Sequence, residues 1–318
     1  MNENASVEFF SQLFLENMLQ TALTAPYNCD SIEVNPSLDK VFVGMYEYEE
    51  SSSTRGGGFL VTDKVGTILT TSERDFGCLD AKWLSDNMLV IACSDGLIRW
   101  YDAAQQEIVQ ETQLSSTTGS GCTENILMTV DSVQDITAAI SAKGVLSIIK
   151  GRSMTDQWEA HNPVYESWCC GLNPGGEVVV TGSDDCSLKY WDVRTREIVH
   201  HDKRNHTMGT TCVEFLDENT LLSGCYDDRI RKFDLRNLAV PVSEFKSIGG
   251  IWRMKPHSDK LYVAACYGGC QVLRLDTFDP VEEYKGHESM VYGIGALGDS
   301  NVVSCSFYDK SIRFWNHS

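Results

Sequence analysis

Short runs of alternating apolar and polar residues recur along this chain, and turns rich in Asp and Gly break them. The runs "GSDDCSLKYWD", "GCYDDRIRKFD", "CSFYDKSIRFWN" and "CSDGLIRWYD" end at Asp192, Asp234, Asn316 and Asp102. Weaker copies are "CYGGCQVLRLD", "SAKGVLSIIK" and "GGGFLVTD", ending at Asp276, Lys150 and Asp63. A period of two predicts short antiparallel strands, and no unit sustains a helical period. The next-to-last residues Trp191, Phe233, Leu275 and Trp315 stand 42, 42 and 40 residues apart. Self-similarity at that period predicts one structural unit of about four strands per copy.

A unit of this length that closes on Trp-Asp resembles the WD-repeat β-propeller. Counting weak copies with strong ones gives an all-β fold of seven blades. The expected organisation is a single domain over residues 1–318, with 1–16 as an N-terminal extension. A further outer strand normally follows each Trp-Asp, but only "NHS" follows Trp315. The alternating stretch "NMLQTALTA" (Asn17 to Ala25) is therefore expected to complete the last blade and close the ring. The resemblance also implies buried His/Thr-or-Ser/Asp/Trp networks. One is His161, Thr181, Asp185 and Trp191. A second is His206, Ser223, Asp227 and Phe233. The third is His287, Cys305, Asp309 and Trp315.

Composition narrows the class. With 318 residues, 42% hydrophobic and 22% charged, the chain can bury a large core. A net charge of -19 repels phosphate backbones, so nucleic acid is not an expected partner, and solubility alone accounts for such a charge. The twelve cysteines form no CxxC pair and no zinc spacing. They read as small buried hydrophobes of a reducing compartment. The start "MNENASVEFF" lacks a signal peptide's basic region, and no apolar run reaches membrane-spanning length. A cytoplasmic monomer, away from membranes and with no cofactor or metal, is the expectation.

Function must come from a site, because the fold alone says only "platform". In propellers of this kind, the fifth residue after each blade's His faces the mouth of the central channel. That count gives Glu166, Thr211 and Tyr292. Aligning Ile251 with Val291 adds Trp252, with Trp168 two residues beyond Glu166. A carboxylate among aromatic faces suits a quaternary ammonium, held by cation–π contact. Aromatic residues on this rim more commonly serve protein docking. Arg253, one strand position on, is expected to point away from Trp252, as an oxyanion partner or a brace between blades. Gly249-Gly250 precede them, either to allow positive φ or to admit substrate backbone.

Several longer strings carry a narrower resemblance. They are "HNPVYESW" (His161 to Trp168), "RNHTMG" (Arg204 to Gly209), "YDDRIRKFDLRN" (Tyr226 to Asn237), "GGIWRMKPH" (Gly249 to His257), "MVYG" (Met290 to Gly293) and "CSFYDKSIRFW" (Cys305 to Trp315). Over roughly residues 160 to 316 the chain resembles the diphthine methylesterase family, WD-repeat proteins of diphthamide biosynthesis. It departs from the family at "MKPH", where an aromatic usually precedes His-Pro. The resemblance implies a carboxylic ester hydrolase. Its partner and substrate would be translation elongation factor two, whose modified histidine loses a methyl ester to give diphthine for the final amidation. A non-catalytic WD-repeat scaffold is the alternative. The chain has no GxSxG elbow and no HExxH. Water activated by a rim group is the expected chemistry, with Glu166 as the first candidate base and His206 the second. Arg253 is the oxyanion candidate, and Trp168, Trp252 and Tyr292 bind substrate. Cys169 or Cys212 is a less supported nucleophile.

Overall fold

The computed structural model describes residues 21–114 and 126–317. The proposed extension 1–16 lies outside the described residues. The chain forms seven four-stranded antiparallel sheets, numbered here as blades 1 to 7. Blades 1 to 6 span residues 29–74, 78–113, 127–159, 167–202, 210–246 and 253–284. Blade 7 combines residues 291–316 with the N-terminal strand Ala22–Thr24, which pairs with Ser311–Asn316 through Leu23↔Ile312. The ring thus closes as the missing outer strand required, and the edge of the last blade is covered.

Each inner strand packs on the next blade's inner strand, and blade 7 packs back on blade 1. The core follows from that ring. It is seven apolar layers, one between each pair of neighbouring blades. Cys29, Val43 and Met45 meet Val303, Ile312 and Phe314 across the closing seam. Between blades 3 and 4, Ile140 and Leu146 meet Leu172, Val179 and Trp191. Among the described cysteines all but Cys186 are buried, as small core residues.

The buried networks correct two sequence expectations. His161 reaches Asp185 Oδ2 (3.1 Å) and Thr181 Oγ1 (2.9 Å), and Trp191 Nε1 donates to the same Thr181 oxygen (3.1 Å). In blade 7 that central oxygen belongs to Ser304, not Cys305. His287 lies 2.7 Å from it and Trp315 Nε1 donates to it at 3.0 Å. The turn 307–310 is one residue longer than its counterpart in blade 5, so counting back four residues from Asp309 stops one short, at Cys305. In blade 5, His206 bonds Ser223 (2.9 Å), but Asp227 turns to Arg231 and Thr207 instead. Asp202 stands 3.7 Å from the His206 ring in its place.

Burial pulls His287 down to about 4, against the pull of Asp309. A histidine with a depressed folded pKa stabilises the fold fully above its unfolded value of 6.5 and loses that contribution as pH falls toward 4. Unfolding free energy is therefore expected to drop over that window, by up to about 1.4 kcal/mol per pH unit. His287→Gln should be less stable at pH 7 yet flatten the decline, as thermal unfolding against pH will show.

Candidate functional site

The upper end of each inner strand has a shared irregularity. In six blades the register slips there by one residue, leaving Asp30, Leu79, Met128, Trp168, Thr211 and Tyr292 unpaired at successive mouth positions. In blade 6 the first paired residue is Arg253, so Trp252 takes the same place. Such bulges re-aim a side chain out of the pleat. Here they set one residue from each blade at the mouth of the axial channel.

Three of these residues form a continuous aromatic wall. Trp252 stacks on Tyr292 with centroids 4.2 Å apart and planes 14° apart. Trp168 meets Trp252 edge-on at 5.3 Å, across the position of blade 5. Phe307 extends the wall, 5.0 Å from Tyr292. Thr211, the mouth residue between Trp168 and Trp252, turns its hydroxyl to the backbone, toward Gly224 O (3.2 Å) and Ile251 O. Trp168 is held by its Nε1, which donates to Asp184 Oδ1 at 2.7 Å. Gly209 makes room for that bond, since a Cβ there would collide with the Asp184 carboxylate. Trp252 Nε1 is buried and has no acceptor among the described residues.

The three aromatics expected to bind substrate therefore do come together. The three catalytic candidates do not. Glu166 is exposed in the loop leading into blade 4, and Trp168 holds the mouth position assigned to it. That loop is two residues longer than in blades 5 and 7, through a turn in which Tyr165 N donates to Asn162 O (3.0 Å). His206 is buried away from the mouth, and burial, helped by the Arg231 charge, pulls it down to about 4, so it is neutral at pH 7. Arg253 does not turn into its own blade. It crosses the axis to blade 2, where Nη2 donates to Leu79 O (3.1 Å) and lies 3.4 Å from Asp80 Oδ1. Cys169 and Cys212 are buried thiols. Burial raises both, Cys212 to about 12. Gly249 and Gly250 have ordinary φ. They allow close packing instead, Gly249 against the Ala265 carbonyl and Gly250 against the Tyr226 ring.

One mouth residue was missed from the sequence. Asp30 occupies the blade 1 position beside Tyr292 and is 6% exposed. Burial pushes its carboxyl up to about 7, opposed by the Arg253 charge and reinforced by Asp80. Blade 1 has neither a His to count from nor a closing Trp-Asp. A carboxylate opening the inner strand "CDSIEV" was the only trace.

Below the mouth, the channel charges satisfy one another. Lys82 pairs with Asp131 at 2.9 Å, and Asp131 also accepts from Leu172 N. Lys255 pairs with Glu33 and lies 3.8 Å from Glu214. A cavity of about 320 Å³ at the lower mouth is lined by Glu33, Lys82, Glu214, Lys255 and His257. Its carboxylates and ammonium groups are already partnered, which leaves the aromatic upper mouth as the candidate site.

The family described as WD domain, G-beta repeat matches residues 152–192 and 278–316, the regions of the two clearest Trp repeats. The WD40 β-propeller domain of Doa1 superposes with a TM-score of 0.74 at 12% identity, covering 94% of this chain and 95% of that one. A protein of Dictyostelium discoideum named diphthine methyltransferase homolog is 28% identical over 91% of this chain and 96% of its own length. Diphthine methyltransferase of Saccharomyces cerevisiae is 30% identical over 45% of this chain and 46% of its own length. The chain is a seven-bladed WD-repeat β-propeller that resembles the diphthine methyltransferases along most of its length.

Proposed function

We propose that this protein acts in diphthamide biosynthesis, as a hydrolase that removes the methyl ester of diphthine on elongation factor two. The observation that carries this reading is the mouth itself. Trp168, Trp252 and Tyr292 present aromatic faces beside a buried carboxylate, which suits a trimethylammonium group. Diphthine carries that group next to its carboxyl. The relatives' name states methyl transfer involving diphthine, and hydrolysis acts on the same methyl–carboxyl linkage.

Hydrolysis adds water to the carbonyl carbon, breaks the bond to the methoxy oxygen and releases methanol. The new carboxyl then gives its proton to solvent. The attacking water needs a proton acceptor close to the ester. Asp30 fits that role by position, since it stands at mouth level beside Tyr292. Glu166, on the flanking rim, is the second candidate. Arg253 is committed to blade 2 and contributes its charge from below.

Among the described residues, exposed apolar side chains occur in the loop entering blade 4 and in turns of blades 6 and 7, the blades that carry the aromatics. Val164 is 80% exposed, Tyr267 75% and Tyr308 63%. They favour docking of a protein, which suits a protein substrate and also the scaffold reading. Purified protein mixed with elongation factor two bearing diphthine methyl ester separates the readings. Loss of one methylene of mass is the expected result. Gain of one methylene on the free acid, with S-adenosylmethionine supplied, would establish methyl transfer instead. No change in either mixture would leave the scaffold.

A further inference from the structure

We propose that Asp30 is the anionic wall of the aromatic mouth, and that a quaternary ammonium enters the mouth in exchange for the Asp30 proton. This inference rests on the cation-binding part of the reading above and not on the hydrolysis. Asp30 holds the mouth position of blade 1, next in the ring to the Tyr292 position of blade 7. Asp30 and Tyr292 hold equivalent bulge positions in adjacent blades, and Tyr292 stacks on Trp252, so the carboxyl follows the stacked pair around the ring. Every blade packed against Asp30 offers it a known group. These are Arg253 from blade 6, Asp80 from blade 2, and Tyr292 and the Cys305 thiol from blade 7.

Among these neighbours only Arg253 is cationic, and its guanidinium is engaged by Leu79 O and Asp80. Asp30 therefore lacks a full counter-charge of its own. A carboxylate left so, in a site walled by aromatics, holds a proton near neutrality; burial sets it at about 7. A trimethylammonium carries no N–H to donate, so it is stabilised only by charge and by ring faces. Entering the mouth, it supplies the missing positive charge, and Asp30 ionises. The substrate's own cation then readies the carboxylate as a proton acceptor, and a neutral ester would leave it protonated. The exchange also favours product release. Once the ester is cleaved, the product bears its own carboxylate and repels ionised Asp30.

Tetramethylammonium is a suitable probe, because its charge is fixed at every pH. Its affinity, measured by calorimetry from about pH 5.5 to about pH 8.5, should be constant above the Asp30 midpoint and fall about tenfold per pH unit below it. Near pH 6, buffers of different ionisation heat should reveal close to one proton released per cation bound. Asp30→Asn should bind more weakly and with no pH dependence, its folding checked by thermal unfolding. The wild-type measurements stand even if that variant fails to fold. Glycine betaine methyl ester should bind about tenfold more tightly than glycine betaine. A flat wild-type profile, no proton release, an unchanged slope in Asp30→Asn, or equal affinity for ester and acid would each overturn the proposal. If hydrolysis fails while proton-linked binding persists, the enzyme reading falls and this one stands; the reverse outcome removes only this one.

Discussion

Trp252→Ala is expected to lower both tetramethylammonium affinity and kcat/KM toward the methyl ester by roughly 100-fold or more. The expectation follows from its place in the middle of the wall. Trp252 touches Tyr292 on one side and Trp168 on the other. Each cation–π contact in a desolvated site contributes about 2 kcal/mol, and about 1.4 kcal/mol is a tenfold change. Removing Trp252 deletes its own face and unseats the two rings that lean on it. Trp252→Phe keeps a ring against Tyr292 and Trp168, so it should lose less than the alanine variant. Met128 occupies the mouth position of blade 3, away from the wall. Met128→Ala should therefore stay within about threefold of wild type. Equal losses at Trp252 and Met128 would mean that the mouth has no preferred side.

The sequence made much of this site legible, for a physical reason. Trp-Asp spacing, strand alternation and the missing last strand are all consequences of one repeated unit, so the ring and its closure by Ala22–Thr24 could be read by counting. Counting five residues from His206 and His287 likewise reached the correct mouth positions, Thr211 and Tyr292. It failed at Glu166, where the turn around Asn162 adds two residues and moves Trp168 into place. It failed again at Cys305, where a longer turn shifted the buried oxygen to Ser304. Loop length obeys solvent-exposed turns rather than the core, so it varies while the strands keep register. Asp30 was illegible because blade 1 lacks the residues that anchor a count. The bracing role expected as one alternative for Arg253 matches its pairing with Asp80, but its direction was missed for a different reason. Alternation assigns opposite faces to strand neighbours, but Trp252 precedes the first paired residue, Arg253. The rule applies only within the ladder.

Arg253→Leu is expected to destabilise the fold by about 3–5 kcal/mol, with turnover lost as a consequence. Arg253 reaches from blade 6 across the axis to Leu79 O and Asp80 of blade 2. The other oxygen of Asp80 accepts from Val130 N of blade 3 at 3.0 Å. A single side chain thus links blade 6 to a carboxylate that already joins blades 2 and 3. Both partners are nearly buried, with side chains 12% and 10% exposed. Deleting the guanidinium leaves Asp80 charged and unpaired inside the channel, and that orphaned charge is the source of the loss. Urea unfolding will measure it. Arg253→Lys should lose less, since a single ammonium keeps the charge but cannot fork between a carbonyl and a carboxylate. Arg253→Leu with Asp80→Asn should recover part of the stability, because the second change removes the stranded charge. A second consequence separates this role from direct contact with substrate. The Arg253 charge pulls the Asp30 carboxyl down. Without it, the midpoint for tetramethylammonium binding should move to higher pH in any folded variant. An arginine that served only the oxyanion would leave both the urea midpoint and that binding midpoint where they are.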